Sequence, residues 1–127
     1  MATANLSNEA YELSDGLDSI VIIKDLGDIP GGRTLDVTNV AADVNVIKAG
    51  HIIMQDDTSK EYEPLAVSTG AYVADTTGKT YVGVLKHTVL KTKAFAPILT
   101  MGQVNAAASP YEVTAAIKTA LTNIQFI

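Results

Sequence analysis

The strongest constraint on the fold of this chain is that its large apolar residues come in short runs, each closed by a cluster of turn-forming residues. Ser19-Ile20-Val21-Ile22-Ile23-Lys24 is one such run, rich in β-branched side chains, and Gly27, Pro30, Gly31 and Gly32 follow it at once. The pattern is that of a buried strand and a loop. From residue 34 onward the same alternation predicts strands at about 34–37, 44–55, 63–67, 81–90 and 94–103. Asp56-Asp57-Thr58-Ser59 and Asp75-Thr76-Thr77-Gly78 separate them. Their short polar side chains can bond neighbouring backbone groups, and Gly78 can take positive φ. Gly50, Gly83 and Gly102 fall inside strand-like runs, where a missing side chain marks a bulge or a close backbone approach. These features predict a mainly β fold, a small β-barrel or β-sandwich.

One helix is expected, over about residues 110–123. Ser109-Pro110-Tyr111-Glu112 reads as a capping box, with an N-cap hydroxyl, a proline at the first helical position and a Glu at the third. Val113, Ala116, Ile117, Ala120, Leu121 and Ile124 then form one apolar stripe, with Thr114, Lys118, Thr119 and Thr122 facing away. Gln125-Phe126-Ile127 is too apolar for a free tail and should add a strand or fill a groove.

A length of 127 residues suits one domain with one core. The chain is 47% apolar and 18% charged, too apolar for disorder and sparsely charged for a lone monomer, so part of its apolar surface is expected to meet another chain. No run approaches the roughly twenty apolar residues of a membrane span, and no basic stretch followed by an apolar block marks a secretory signal. Without cysteine there is neither a disulfide framework nor a thiolate site.

Charge is unevenly placed. Residues 1–63 hold twelve acids against four bases, whereas residues 64–127 hold two acids against five bases, a split that permits head-to-tail contact. The net charge of −5 argues against non-specific nucleic-acid binding, which needs several cations placed on phosphates. Lys79, Lys86, Lys91, Lys93 and Lys118 read as a solvated strand face rather than a binding patch.

Residues 1–18 read as an extended N-terminal arm ahead of a single compact β domain over residues 19–127. The arm carries Glu9, Glu12, Asp15 and Asp18, no Lys or Arg, and apolar residues only at the spaced positions Leu6, Tyr11, Leu13 and Leu17 among its large side chains. That spacing builds no helix face. It suits a segment that orders against a partner, and these eight residues are the expected docking set.

Catalytic constellations are poorly supplied. His51 and His87 are the side chains whose ordinary titration lies near neutral pH, and both fall in strand-like runs without a nucleophile motif beside them. Val67-Ser68-Thr69-Gly70 lacks the first glycine of a nucleophile elbow. Asp56-Asp57 with Glu61 and Glu63 lacks the spacing that wraps calcium, and no metal is expected. Ile29-Pro30-Gly31-Gly32-Arg33 leads into a strand pattern rather than the helix a phosphate cradle needs. Trp is absent, so sugar-stacking platforms are scarce. No enzyme activity and no cofactor are expected.

The chain resembles the head-fibre and capsid decoration proteins of tailed phages. The residues that carry the resemblance are Asn5-Leu6-Ser7-Asn8-Glu9-Ala10-Tyr11, Ile47-Lys48-Ala49-Gly50-His51-Ile52-Ile53 and Tyr62-Glu63-Pro64-Leu65. Tyr81-Val82-Gly83-Val84-Leu85, Gly102-Gln103-Val104-Asn105-Ala106-Ala107 and Pro110-Tyr111-Glu112-Val113-Thr114-Ala115-Ala116-Ile117 continue it in order. The resemblance implies a virion protein made in the bacterial host cytoplasm and attached to the outer capsid surface. Its partner would be the phage major capsid protein, and it would act as a homotrimer without nucleic-acid or membrane contact. The chain lacks a heptad or collagen-like shaft, so a decoration or fibre-base role is expected rather than a receptor-binding fibre. A carbohydrate- or ligand-binding β module stays open as the alternative, and a small hydrolase using scattered acids as the third.

Overall fold

The computed structural model describes residues 18–74 and 76–127. A helical turn, α1 (Asp18–Val21), leads into β1 (Ile22–Asp28), and the strands β2 (Arg33–Thr34), β3 (Val46–Ile47), β4 (Ile52–Asp56) and β5 (Tyr62–Pro64) follow. Next come β6 (Val67–Ser68), β7 (Ala71–Tyr72), β8 (Lys79–Leu85), β9 (Val89–Leu90), β10 (Phe95–Ala96) and β11 (Ile98–Val104). The chain closes with a helix, α2 (Ala115–Ala120), and β12 (Ile124–Phe126).

The central sheet runs in the order β1-β11-β8-β4-β5, antiparallel throughout this path. It is open, so the barrel alternative does not hold; small two-stranded ribbons and the C-terminal segment cover it instead. Side chains alternate between the two faces of a strand. Ile52, Met54, Val84 and Leu99 therefore enter one core with Val21, Tyr72, Ile117 and Leu121. Their neighbours Ile53, Leu85 and Ile98 enter a second core with Leu35, Ile47, Val89 and Ala96. Because both faces are covered, these strands read as continuous apolar runs instead of alternating ones, the pattern expected of a doubly buried sheet.

Four of the five runs expected as strands after residue 34 are each broken into two short pieces, and the other, 34–37, contributes only Thr34 to β2. The run 44–55 breaks at Lys48–His51 and the run 81–90 breaks at Lys86–Thr88, so β4 pairs β8 while β3 pairs β9. The corner is stitched by bonds from Gly50 N to Leu85 O at 2.8 Å, Leu85 N to His51 O at 2.9 Å and Ala49 N to Thr88 Oγ1 at 3.1 Å. A break at Pro97 likewise separates β10, which pairs β2, from β11. These three breaks turn the strands out of the central sheet into the β3–β9 and β2–β10 ribbons, which contribute Ile47, Val89 and Ala96 to the second core.

Close backbone approach occurs where the embedded glycines suggested it. A Cβ on Gly83 would collide with the carbonyl oxygen of Leu99, and one on Gly102 with that of Lys24. Gly102 takes φ +156°, and the β1–β11 ladder beside it carries three register shifts. At the 56–59 turn, Asp56 Oδ1 accepts from Thr58 N at 2.9 Å and Ser59 N at 3.0 Å, closing the link from β4 to β5.

Two expectations need correction. Residues 19–24 are not a buried strand. They span α1 and the start of an edge strand, where Val21 is buried while Ile20, Ile23 and, further on, Leu26 are exposed. Among the described residues only one side of β1 has a strand neighbour, and two of its three large apolar residues, Ile23 and Leu26, stay exposed.

The helix, expected over 110–123, spans only Ala115–Ala120. Thr114 is its N-cap, accepting from Ile117 N at 3.4 Å, and Ser109 instead ends a 3-10 turn over Ala106–Ala108. Tyr111 packs its ring against two others, which holds residues 109–113 in an irregular path. Val113, Ile117, Leu121 and Ile124 are buried as the stripe predicts, but Ala116 and Ala120 are exposed and Ile124 belongs to β12. The C-terminal strand expected from Gln125-Phe126-Ile127 is present: β12 runs parallel to β11, pairing Gly102 with Ile124 and Val104 with Phe126.

Candidate functional site

His51 lies just before β4 and is 8% exposed. Its Nε2 lies 2.8 Å from the carbonyl oxygen of Leu65. A carbonyl only accepts, so this nitrogen carries the hydrogen. Burial pushes the pKa of His51 below the ordinary histidine value, against the opposing effect of that hydrogen bond. The ring is therefore a neutral imidazole whose Nδ1 lone pair has no partner among the described residues.

Two tyrosines stand edge-on around it. The His51 ring centroid is 5.3 Å from that of Tyr72 and 5.7 Å from that of Tyr111, and the tyrosines are 5.3 Å from each other. Edge-to-face geometry brings the positive rim of one ring to the negative face of the next. Tyr72 Oη accepts from Ile52 N at 3.2 Å, and burial pushes its phenol far above the ordinary tyrosine range, so it stays a neutral hydroxyl. The three residues come from β7, the approach to β4 and the segment before α2, which packing alone brings together.

A pocket of about 280 Å³ opens on this cluster. Its walls include Val44, Ile47, Leu65 and Pro110, with His51 and Tyr111 completing the lining. The other polar side chains on it, Asn39 and Lys48, are exposed. One wall is the loop after β2, held by bonds from Lys91 Nζ to the carbonyls of Val40 and Ala41 at 3.3 and 3.1 Å. Three of the segments that carry the resemblance meet here, through His51, Leu65 and Tyr111.

A second feature is the apolar surface of the β1 edge. Ile23 and Leu26 are 48% and 57% exposed, and Met101 on the neighbouring β11 is 44% exposed. Lys86 Nζ pairs with Asp25 and, at 2.7 Å, with Asp28, and these two carboxylates raise its pKa. Both acids of the edge strand are thus tied toward Lys86, which leaves Ile23 and Leu26 as its outward apolar groups.

Of the residues expected to dock, Leu6, Glu9, Tyr11, Glu12, Leu13, Asp15 and Leu17 lie outside the described residues, and Asp18 is the first residue of α1. His51, expected on a sheet face, is a buried member of the aromatic cluster, whereas His87 sits on an exposed bend between β8 and β9. Tyr72 and Tyr111 were not legible as site residues: a two-residue strand shows no alternation, and Tyr111 fitted a helix start. Among the described residues, no three His, Asp or Glu side chains gather to hold a metal ion. The acids of the 56–63 segment have other partners, Asp57 accepting from Thr80 Oγ1 at 2.6 Å and Glu63 pairing with Lys79. No helix among the described residues is long and apolar enough to cross a membrane.

Comparisons with protein-family models, with curated proteins and with solved structures return no match.

Proposed function

We propose that this protein is a non-enzymatic structural component of a tailed-phage head. It binds the outer capsid surface as a decoration or head-fibre base protein and associates as a homotrimer. The observation that carries the reading is the β1 edge, a strand with one side unpaired among the described residues, where Ile23 and Leu26 are exposed beside Met101. Unpaired edges and grouped apolar side chains are what subunit contacts consume. The low charged fraction and the opposed charge of the two halves of the chain support the same reading.

The acidic arm with Leu6, Tyr11, Leu13 and Leu17 is the proposed docking element for the major capsid protein. Extended segments gain backbone hydrogen bonds at a sheet edge while alternate side chains enter pockets. Three arms on one trimer multiply weak docking through effective concentration.

Light scattering tests the assembly, and binding to undecorated capsids tests the docking. A trimer mass for the whole chain, reduced to 13.3 kDa by Leu26→Glu, is the expected result. Deletion of residues 1–18 should leave the trimer intact and abolish capsid binding. A whole chain that stays monomeric at micromolar concentration, or a truncated chain that decorates capsids with unchanged affinity, overturns the corresponding part.

A further inference from the structure

We infer that the pocket beside His51 is a binding site for a phenol-like group, an apolar ring carrying one hydrogen-bond donor. The inference is independent of the capsid reading, because the pocket borders β5 and the segment before β4, whereas β1 forms the opposite end of the sheet.

The chemistry follows from the unused nitrogen. His51 spends Nε2–H on Leu65 O, and Nδ1 has no hydrogen-bond partner among the described residues. The His51 ring lines the pocket, and we place Nδ1 as the atom that a ligand meets there. A neutral imidazole nitrogen in that position accepts one hydrogen bond and disfavours a second acceptor against its lone pair. The ligand therefore brings an O–H or N–H donor.

The walls choose the rest of the ligand. Val44, Ile47, Leu65 and Pro110 offer apolar contact, and the ring of Tyr111 adds an aromatic surface for a second ring. A sugar is disfavoured, because several of its hydroxyls would be desolvated against the apolar walls, while the polar side chains of Asn39 and Lys48 lie exposed. A volume of about 280 Å³ lies at the small end for ligand pockets and suits one ring rather than a fused or extended molecule. A free phenol and a tyrosine side chain on another protein share this chemistry.

The probes are p-cresol, toluene and N-acetyltyrosinamide, titrated into the full-length protein and read by long-range proton–nitrogen NMR at His51. The free protein should show Nε2 protonated and Nδ1 not. Saturating p-cresol should move the Nδ1 resonance toward that of a hydrogen-bonded acceptor, together with methyl signals of Ile47 and Leu65. Toluene should bind roughly fivefold more weakly, the value of one ordinary hydrogen bond. Binding of N-acetyltyrosinamide as well points to a protein side chain as the natural occupant, and its exclusion points to a free small molecule.

Val44→Phe, which fills the pocket from a loop, should abolish p-cresol binding with unchanged circular dichroism. His51→Phe should make p-cresol and toluene equal; should that variant fail to fold, the wild-type Nδ1 shift still decides. No saturable change at His51 Nδ1 up to the solubility of p-cresol, equal binding of toluene to the wild type, or undiminished binding by a folded Val44→Phe protein overturns the inference.

Discussion

The imidazole of His51 donates Nε2–H to the backbone carbonyl of Leu65 at 2.8 Å and ties the approach to β4 to the end of β5. Because burial holds the folded-state pKa of His51 below its ordinary value of 6.5, protonation is resisted in the folded chain and free in the unfolded one. Above that ordinary value the group is neutral in both states and pH has no hold on it. Below it the unfolded chain takes up a proton that the folded chain refuses, so stability falls as pH falls until the folded pKa is reached. The limiting slope is about 1.4 kcal/mol per pH unit. Denaturant melts between pH 7.5 and 5 should show this loss, and His51→Gln, which keeps a donor for Leu65, should flatten it. An equal slope in the variant would assign the loss to other groups.

The short C-terminal helix separates core packing from capping. Ile117 is 1% exposed and truncation to Ala should cost about 2–5 kcal/mol through lost burial and the cavity left behind. Thr114→Ala should cost about 0.5–2 kcal/mol, since its hydroxyl caps Ile117 N. Ser109→Ala should cost less than Thr114→Ala, because Ser109 Oγ only donates to Asn105 O at 3.3 Å. Chemical denaturation of the three variants checks the order, and a larger loss for Ser109 would return the cap to the earlier position.

Gly83 is one of the two tightest points in the central sheet, with Gly102. A methyl group there meets the carbonyl oxygen of Leu99, a backbone atom held between β8 and β1, so neither partner has a flexible end to move. Gly83→Ala should destabilise by at least the roughly 1–3 kcal/mol typical of overpacking, with a lower thermal midpoint. A neutral effect would mean that β8 and β11 separate without loss of core contacts.

Glu63 and Lys79 pair across β4, with the Glu side chain 9% and the Lys side chain 28% exposed. Removing one partner of such a pair leaves the other charge without compensation, and the deeper group suffers more. Lys79→Met should therefore destabilise more than Glu63→Gln, by about 1 kcal/mol or more, since the first strands a buried carboxylate. Double-mutant analysis of the two sites measures the coupling; independent effects would show that the pair contributes nothing.

Much of the β body was legible from local sequence because it rests on local chemistry. Turn geometry at Asp56-Asp57-Thr58-Ser59 needs only short side chains next to the backbone they bond, and Gly83 and Gly102 announced close approach by lacking a side chain. The C-terminal Gln125-Phe126-Ile127 was read as adding a strand or filling a groove, and β12 takes the first of these.

What the sequence determined by itself is the set of residues that must leave solvent and the points where the chain must turn. It did not determine where long runs break, because Ile52-Ile53-Met54 reads the same whether both faces are covered by one layer or by two ribbons. Nor did it place the helix start, since Ser109 and Thr114 both offer a capping hydroxyl and the choice falls to the packing of Tyr111 against His51 and Tyr72. The aromatic cluster itself was decided only in three dimensions. Its members are separated by 21 and 39 positions in the chain, and no periodicity relates residues that meet across different layers of a fold.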